Sequence, residues 1–328
     1  MFKKRKVRAH TNIALIKYWG KADEEYIIPL NSSLSLTLND LYAETSVLFD
    51  DDLDQDIFYL DGEKQAGSSL EKVQHILNLV REQAGIEAKA HVDSQNFVPT
   101  AAGLASSASG MAALAASASL AAGLDLDKKD LSRLARRGSG SASRSIYGGL
   151  VQWQKGSNDA DSYAVPIDPA DWGLGMYFIL INKEQKKVSS RSGMKHTVET
   201  SPYIKEWAKA ADEDVEKMKE AIAQRDFTQM GLLMERSAAK MHATTLGAAE
   251  PFTYLLAESL HAIQFVQDLR EKGFDCYFTM DAGPNVKVLI KEEQKDVIGQ
   301  LLQEEFGSDK ILYSGVGPDI QDITNESD

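Results

Sequence analysis

Hydrophobic and polar positions change their rhythm along the chain. Ser33-Leu34-Ser35-Leu36-Thr37-Leu38 alternates with period two, which predicts a strand with one buried face. Glu44 to Phe49 and Ile57 to Leu60 continue in that style, and Lys89 to Val92 adds another strand. Between them Val73, Ile76, Leu77 and Val80 share one face of a predicted helix, Leu70 to Ala84. The run from Thr100 to Gly123 is mostly Ala, Ser and Gly. Such a run reads as a flexible linker on composition. Alanine is however the best helix former, and Met111, Leu114 and Leu120 punctuate the stretch. The reading is a buried helix, Ser106 to Ala122, entered through a glycine-containing loop. Short helices follow over Leu131 to Arg137 and Ser139 to Tyr147, then strands over Gly149 to Gln154 and Met176 to Ile181. The second part has three long helical patterns, Pro202 to Ala223, Phe227 to Thr244 and Phe252 to Lys272. Strands Cys276 to Met280 and Val286 to Ile290 flank a Gly-Pro turn, before a helix (Gln294 to Phe306) and a last strand (Ile311 to Tyr313). Strands with small-residue helices, then helices over a few strands, predict an α+β protein of two domains. The polar stretch Asn182 to Lys187 marks the expected boundary, giving 1–185 and 186–328.

Composition narrows the classes. The 328 residues are 43% hydrophobic and 26% charged, an ordinary globular balance. Lys and Arg total 36 against 49 Asp and Glu, a formal charge of −13. Nucleic acid and anionic membranes are therefore not expected as partners. A local basic pocket can still hold a small anion. The single cysteine, Cys276, excludes an intrachain disulfide and a cysteine-built zinc site. The six histidines show no close ligand spacing. No apolar window long enough for a membrane span is expected, and the basic start, MFKKRKVRAH, has no apolar stretch behind it. It reads as a charged lead-in to the first strand, and the expected compartment is the cytoplasm. From Asp52 the acidic spacing, with Glu63, copies half of a calcium loop, but Ile57 stands where the bend needs glycine. A solvated hairpin loop is the expectation there.

Five segments could carry chemistry. Pro99 to Gly110 runs a loop of tiny residues into a helix start, which exposes backbone N–H groups and the positive end of a helix dipole. Ser106, Ser107 and Ser109 add hydroxyls, one of which could ligate Mg²⁺; a tightly packed, serine-capped helix start explains the pattern equally well. It is not a Walker loop, because no Gly-Lys-Ser/Thr follows. Gly138-Ser139-Gly140-Ser141-Ala142-Ser143-Arg144 pairs two serines with an arginine able to grip a carboxylate with two bonds, or is a capped helix with an exposed arginine. Asn12 to Lys21 places Lys17, Tyr18 and Lys21 around Gly20, a weak signal by itself. Asp281-Ala282-Gly283-Pro284-Asn285 ends a strand with an acid that could accept or orient a hydroxyl proton; a simple Asx-type turn is the commoner reading. Ser189 to Met194 sits at the expected junction, where ligands often bind, and is otherwise a helix cap.

In this order the segments resemble the small-metabolite kinase superfamily of galactokinase, homoserine kinase and mevalonate kinase. The strict phosphate loop there reads Gly-Leu-Gly-Ser-Ser; here it is Gly103-Leu104-Ala105-Ser106-Ser107. That departure, with Asn12 to Lys21, Gly138 to Arg144 and Asp281 to Asn285, is similar to the diphosphomevalonate decarboxylase family over nearly the whole chain. Serine at 143 stands where cysteine is expected as often, an isosteric change. The resemblance implies an N-terminal domain like domain 2 of ribosomal protein S5 and a ferredoxin-like C-terminal domain. It implies ATP-dependent decarboxylation of (R)-5-diphosphomevalonate to isopentenyl diphosphate, with Mg²⁺, by a homodimer formed through the C-terminal domain. By residue it implies Asp281 and Arg144 as catalytic groups. Tyr18, Trp19, Gly20, Lys21, Lys72, Ser139, Gly140, Ser141, Ala142, Ser143, Ser190, Arg191 and Met194 would meet the substrate. Ser94, Asn96, Gly103, Leu104, Ala105, Ser106, Ser107 and Ser109 would meet ATP, with Ser106 on the metal and Lys17 as a further cation. Two other readings compete: a kinase that stops at the phosphorylated alcohol, and a non-catalytic relative. The intact Arg144 and Asp281 segments favour the decarboxylase over both.

Overall fold

The computed structural model describes residues 2–97, 106–182 and 188–326. In chain order its strands are β1 (Arg5–Ile16), β2 (Lys21–Asp23), β3 (Ile28–Pro29), β4 (Ser33–Asp50), β5 (Ile57–Leu60), β6 (Glu63–Lys64), β7 (Lys89–Phe97), β8 (Leu150–Trp153), β9 (Ala164–Asp168), β10 (Leu174–Ile179), β11 (Cys276–Met280), β12 (Val286–Lys291), β13 (Ile311–Gly315) and β14 (Gln321–Asp322). Its helices are α1 (Ser68–Ala84), α2 (Ser106–Ala121), α3 (Lys128–Gly138), α4 (Ser190–Thr200), α5 (Ile204–Ala223), α6 (Phe227–Leu246), α7 (Ala257–Glu271) and α8 (Lys295–Phe306).

The alternation from Ser33 and the strand from Glu44 are one element. β4 runs antiparallel to β1 along most of its length, pairs with β8 through Ser33–Leu36 and with β7 through Tyr42–Asp50. Helix α2 lies across β1 and β4. Ala108, Ala112, Ala113, Ala115, Ala116 and Ala118 are all buried there, so the small side chains serve close packing rather than flexibility. The acidic loop after β4 is not a hairpin. β4 and β5 lie on opposite sides of β7, with β5 parallel to it, so the loop crosses over β7. Its last residue, Asp56, is buried and accepts from Ala90 N (2.9 Å) and from the Arg81 guanidinium, which fixes the crossover against α1.

The second sheet has the order β11-β12-β10-β13, all antiparallel. Counted in chain order this is the ferredoxin-like arrangement, built from a split βαβ pattern. β10 belongs to this sheet, so the chain leaves the first sheet between Asp168 and Leu174, upstream of the polar stretch that the sequence favoured. The chain then returns: β14 pairs with β1, and Val316 bridges to Leu38. One buried cluster joins the two units, with Leu15, Ile16 and Leu34 from the first beside Trp207, Met218 and Leu233 from the second. A second cluster sits under α1 and α2, and a third lies between the ferredoxin-like sheet and α7 and α8.

Helix α6 approaches β11 closely because position 231 is glycine: a Cβ there would run into the Tyr277 ring. Gly231→Ala should therefore cost about 1–3 kcal/mol through overpacking, read as a lower urea midpoint at unchanged m-value.

Candidate active site

The site is built at the seam. β1 ends in Ile16, and the next residue, Lys17, turns its ammonium inward, where it is almost wholly buried. Its Nζ donates to Ala14 O (2.8 Å) and to Asp281 Oδ1 (2.7 Å). Its backbone N–H donates to Ser237 Oγ on α6 (3.0 Å), so both units hold it. Asp281 follows β11 directly and keeps 34% of its side chain accessible. Its second oxygen, Oδ2, lies 3.0 Å from Lys287 Nζ on β12. Burial by itself would raise the Asp281 carboxyl; Lys17 and Lys287 outweigh it and hold the group far below the usual carboxylate range. The same burial pulls Lys17 down to about 8, against the attraction of Asp281.

Arg144 stands on a 3₁₀ turn, Gly140–Ile146, that follows α3. It is buried, and burial lowers it to about 10 despite the nearby Asp281 charge. Its Nε donates to Asn12 Oδ1 (3.1 Å) and Nη1 to Ser33 Oγ (2.5 Å). Asn12 in turn donates to Ser145 Oγ (2.8 Å) and Ser141 O (3.0 Å), which orients its oxygen toward the arginine. Ser139 and Ser141 are half-buried with hydroxyls 3.4 Å apart. Gly140 lets Trp153 and Tyr18 pack onto the turn; a Cβ there would lie 2.7 Å from Trp153. Tyr18 stacks edge-on with Trp153 at 4.8 Å, and its phenol is raised by burial and Glu24, with Arg144 and Arg191 opposing.

The other candidates divide. Trp19 is turned into the joint core, its Nε1 donating to Thr197 Oγ1 (3.2 Å); it supports the site from behind rather than facing a ligand. Ala142 and Ser143 are likewise buried inside the turn, where Ser143 Oγ donates to Gly140 O (2.7 Å). Gly20 has φ +108°, a conformation suited to glycine, and a Cβ there would meet Leu30 and Val198 of α4. Lys21 pairs with Glu24 at 2.5 Å. Ser190 and Arg191 open α4 behind the cap Ser189, and Met194 packs into the joint core. Lys72 is exposed on α1. Ser94 is buried against Thr45 (2.9 Å), and Asn96 donates to Asp61 (3.2 Å). Ser107 is exposed on the first turn of α2, and Ser109 lies beneath, 3.3 Å from Thr11 Oγ1. Gly103, Leu104 and Ala105 lie outside the described residues, and Ser106 is described only as the first residue of α2.

Two neighbours of Asp281 carried no local signal. Lys287 sits in an apolar strand pattern, and His242 sits mid-helix on α6; only the tertiary fold brings them to Asp281.

A ferredoxin-like second unit, a small-residue helix packed across the first sheet, and cations converging on one carboxylate at the seam fit a phosphoryl-transferring enzyme of the small-metabolite kinase class. Residues 9–164 match the diphosphomevalonate decarboxylase-like N-terminal domain, and residues 176–323 the mevalonate 5-diphosphate decarboxylase C-terminal domain. The chain is 33% identical to the diphosphomevalonate decarboxylase of Candida albicans, over 98% of each chain. A crystal structure of mevalonate diphosphate decarboxylase from Staphylococcus aureus is similar with a TM-score of 0.95 and 51% identity, over 98% of each chain. A structure of MDDEF in complex with MVAPP, AMPPCP and magnesium gives a TM-score of 0.95 at 52% identity, covering 99% of this chain and 100% of that one. The chain belongs to the diphosphomevalonate decarboxylase family.

His242 is only 5% exposed, and burial, with Lys17 adding, lowers it from 6.5 to about 4. The unfolded chain therefore binds more protons between these values, and stability is lost as pH falls through them. His242→Gln should flatten the dependence of unfolding free energy on pH in that window, by up to ~1.4 kcal/mol per pH unit, measured by urea titration.

Proposed function

We propose that the cavity beside Asp281 binds (R)-5-diphosphomevalonate and carries out its ATP-dependent decarboxylation to isopentenyl diphosphate, CO2, ADP and phosphate. A β-hydroxy acid resists losing CO2, because hydroxide leaves poorly and no electron sink is present. Phosphorylating the tertiary hydroxyl supplies a leaving group. As the C3–O bond breaks, the electrons of the C1–C2 bond flow toward C3 and the double bond forms. The proton balance closes over both steps, since the hydroxyl proton is lost as the O–P bond forms and the departing phosphate takes one up.

The observation that carries this reading is a partly exposed carboxylate, gripped on both oxygens by buried lysines and facing Arg144. A carboxylate so held is a weak base but a well-placed acceptor. Asp281 orients the hydroxyl toward the phosphoryl group and stabilises the positive charge that grows at C3. Phosphoryl transfer through a loose transition state needs little more. Arg144 clamps the substrate carboxylate in line for elimination, and Ser139 and Ser141 hold the same group. Tyr18, Lys21, Ser190 and Arg191 take the diphosphate, with Met194 beside it. Lys17 and Lys287 leave the cavity with excess positive charge, which suits ligands this anionic.

The start of α2 takes the ATP phosphates on backbone N–H groups and on Ser107; its first turn holds no acidic residue. Among the described residues no group of three or more His, Cys, Asp or Glu is placed to hold a metal ion. Magnesium would come with the nucleotide, where Ser106 is the residue that would help hold it, and it would supply charge neutralisation on the phosphates. Ser94 and Asn96 border the nucleotide, and Lys72 adds a cation on the substrate side.

Among the described residues no helix is long and apolar enough to cross a membrane, and we place the enzyme in the cytoplasm. Its oligomer is a homodimer through the C-terminal unit, where Leu260 and Val297 stand exposed on α7 and α8. Sedimentation at micromolar concentration should give twice the 36.1 kDa chain mass.

Asp281→Asn should lower kcat about 10³-fold, ~4 kcal/mol of transition-state stabilisation, with substrate KM little changed. Substrate labelled at the C1 carboxylate should release CO2 in step with ADP; ADP without CO2 would mark a kinase instead.

A further inference from the structure

We infer that Lys287 is a positioning residue for this reaction, stapling the turn that carries Asp281 and fixing the plane of its carboxylate. This rests on the reading of Asp281 given above. Lys287 Nζ makes two contacts in the same five-residue turn. It lies 3.0 Å from Asp281 Oδ2 at the start and donates to Asn285 O, 3.2 Å away, at the end. Its stem is buried on β12, with 6% of the side chain accessible, so the ammonium has little room to swing. Asn285 closes the far side by accepting Ile181 N (2.8 Å) and Asn182 N (3.1 Å), which anchors the turn to the chain after β10.

Two lysines therefore divide the carboxylate. Lys17 arrives from the first unit and holds Oδ1; Lys287 arrives from the second and holds Oδ2. With Lys17 alone the group could rotate about its Cβ–Cγ bond and still keep one ion pair. With both, rotation breaks a contact on each side, and one set of lone pairs stays aimed at the cavity. Lys287 touches neither reacting atom; it acts through Asp281. The groups facing Asp281 are Lys17 at the end of β1, Lys287 on β12, Arg144 on the 3₁₀ turn and His242 on α6. Removing the Lys287 charge leaves two cations and a neutral imidazole, so Asp281 binds a proton more readily.

The test is a steady-state pH profile of Lys287→Met beside wild type, Lys287→Arg and Asp281→Asn. Lys287→Met should lower kcat about 10²-fold with KM for both substrates within threefold, because a misplaced acceptor costs the chemical step rather than binding. Its acid limb of kcat should move to higher pH, while Lys287→Arg, which keeps the charge, leaves that limb in place. Lys287→Met/Asp281→Asn should be no slower than Asp281→Asn alone, since both changes strike one device. A purely structural lysine would lower the melting temperature, leave the acid limb unmoved and add its loss to that of Asp281→Asn; any of the last two results overturns the proposal. If the methionine variant does not fold, Lys287→Gln is measured in its place against the same outcomes. Failure of the underlying reading shows separately, as near-normal turnover by Asp281→Asn.

Discussion

One carboxylate makes the cluster of buried cations possible. Lys17, Lys287 and Arg144 are all buried and converge on Asp281. Desolvating a cation costs several kcal/mol unless a partner compensates. Asp281 compensates part of that cost, and Asn12, Ser33, Ala14 O and Asn285 O take the remaining donors named here. Three cations against one anion still leave an excess of positive charge. In a chain of net charge −13 this excess is strictly local, and it is what an anionic substrate and nucleotide would neutralise. Burial lowers Lys17 and Arg144, and the attraction of Asp281 opposes it in both.

Much of the fold was legible. Period-two stretches became β4 and β5, and the amphipathic spacing of Val73, Ile76, Leu77 and Val80 became α1. The alanine run was a buried helix because small residues pack against a sheet as readily as they make a linker. The misses share one cause: they depend on contacts far apart in sequence. Nothing near Asp56 says that Arg81 will reach it and turn an expected hairpin loop into a crossover. Nothing near Leu174 says that β10 will pair with β12 rather than with the sheet it follows. β14 is two residues long, too short for any periodicity to announce it.

The site divides in the same way. Local sequence left Asp281 as an Asx-type turn and Arg144 evenly open; the family resemblance singled both out, and the structure brings the two near each other. Lys287 was not legible, since a lysine in Val-Lys-Val-Leu-Ile reads as the solvated position of a half-buried strand. Only the antiparallel pairing of β12 with β11 shows that this residue returns to the start of its own turn. Trp19 misled in the opposite direction. Its place in the aromatic-basic string suggests ligand contact, yet it is drawn into the joint core, while Tyr18 packs against Trp153 at the edge of that core.

The seam between the units therefore governs the chemistry more than any single loop. Lys17 Nζ and Asp281 Oδ1 are 264 positions apart in sequence and 2.7 Å apart in space. Neither side chain alone sets that distance. It is set by the shared apolar cluster, by Ser237 Oγ holding the Lys17 backbone, and by the chain end returning to β1 through β14. Opening the seam would strip Asp281 from the buried Lys17, a cost of several kcal/mol, while Lys287 would keep it within its own unit. A carboxylate held on both oxygens by lysines from the two units has its orientation set by the seam itself.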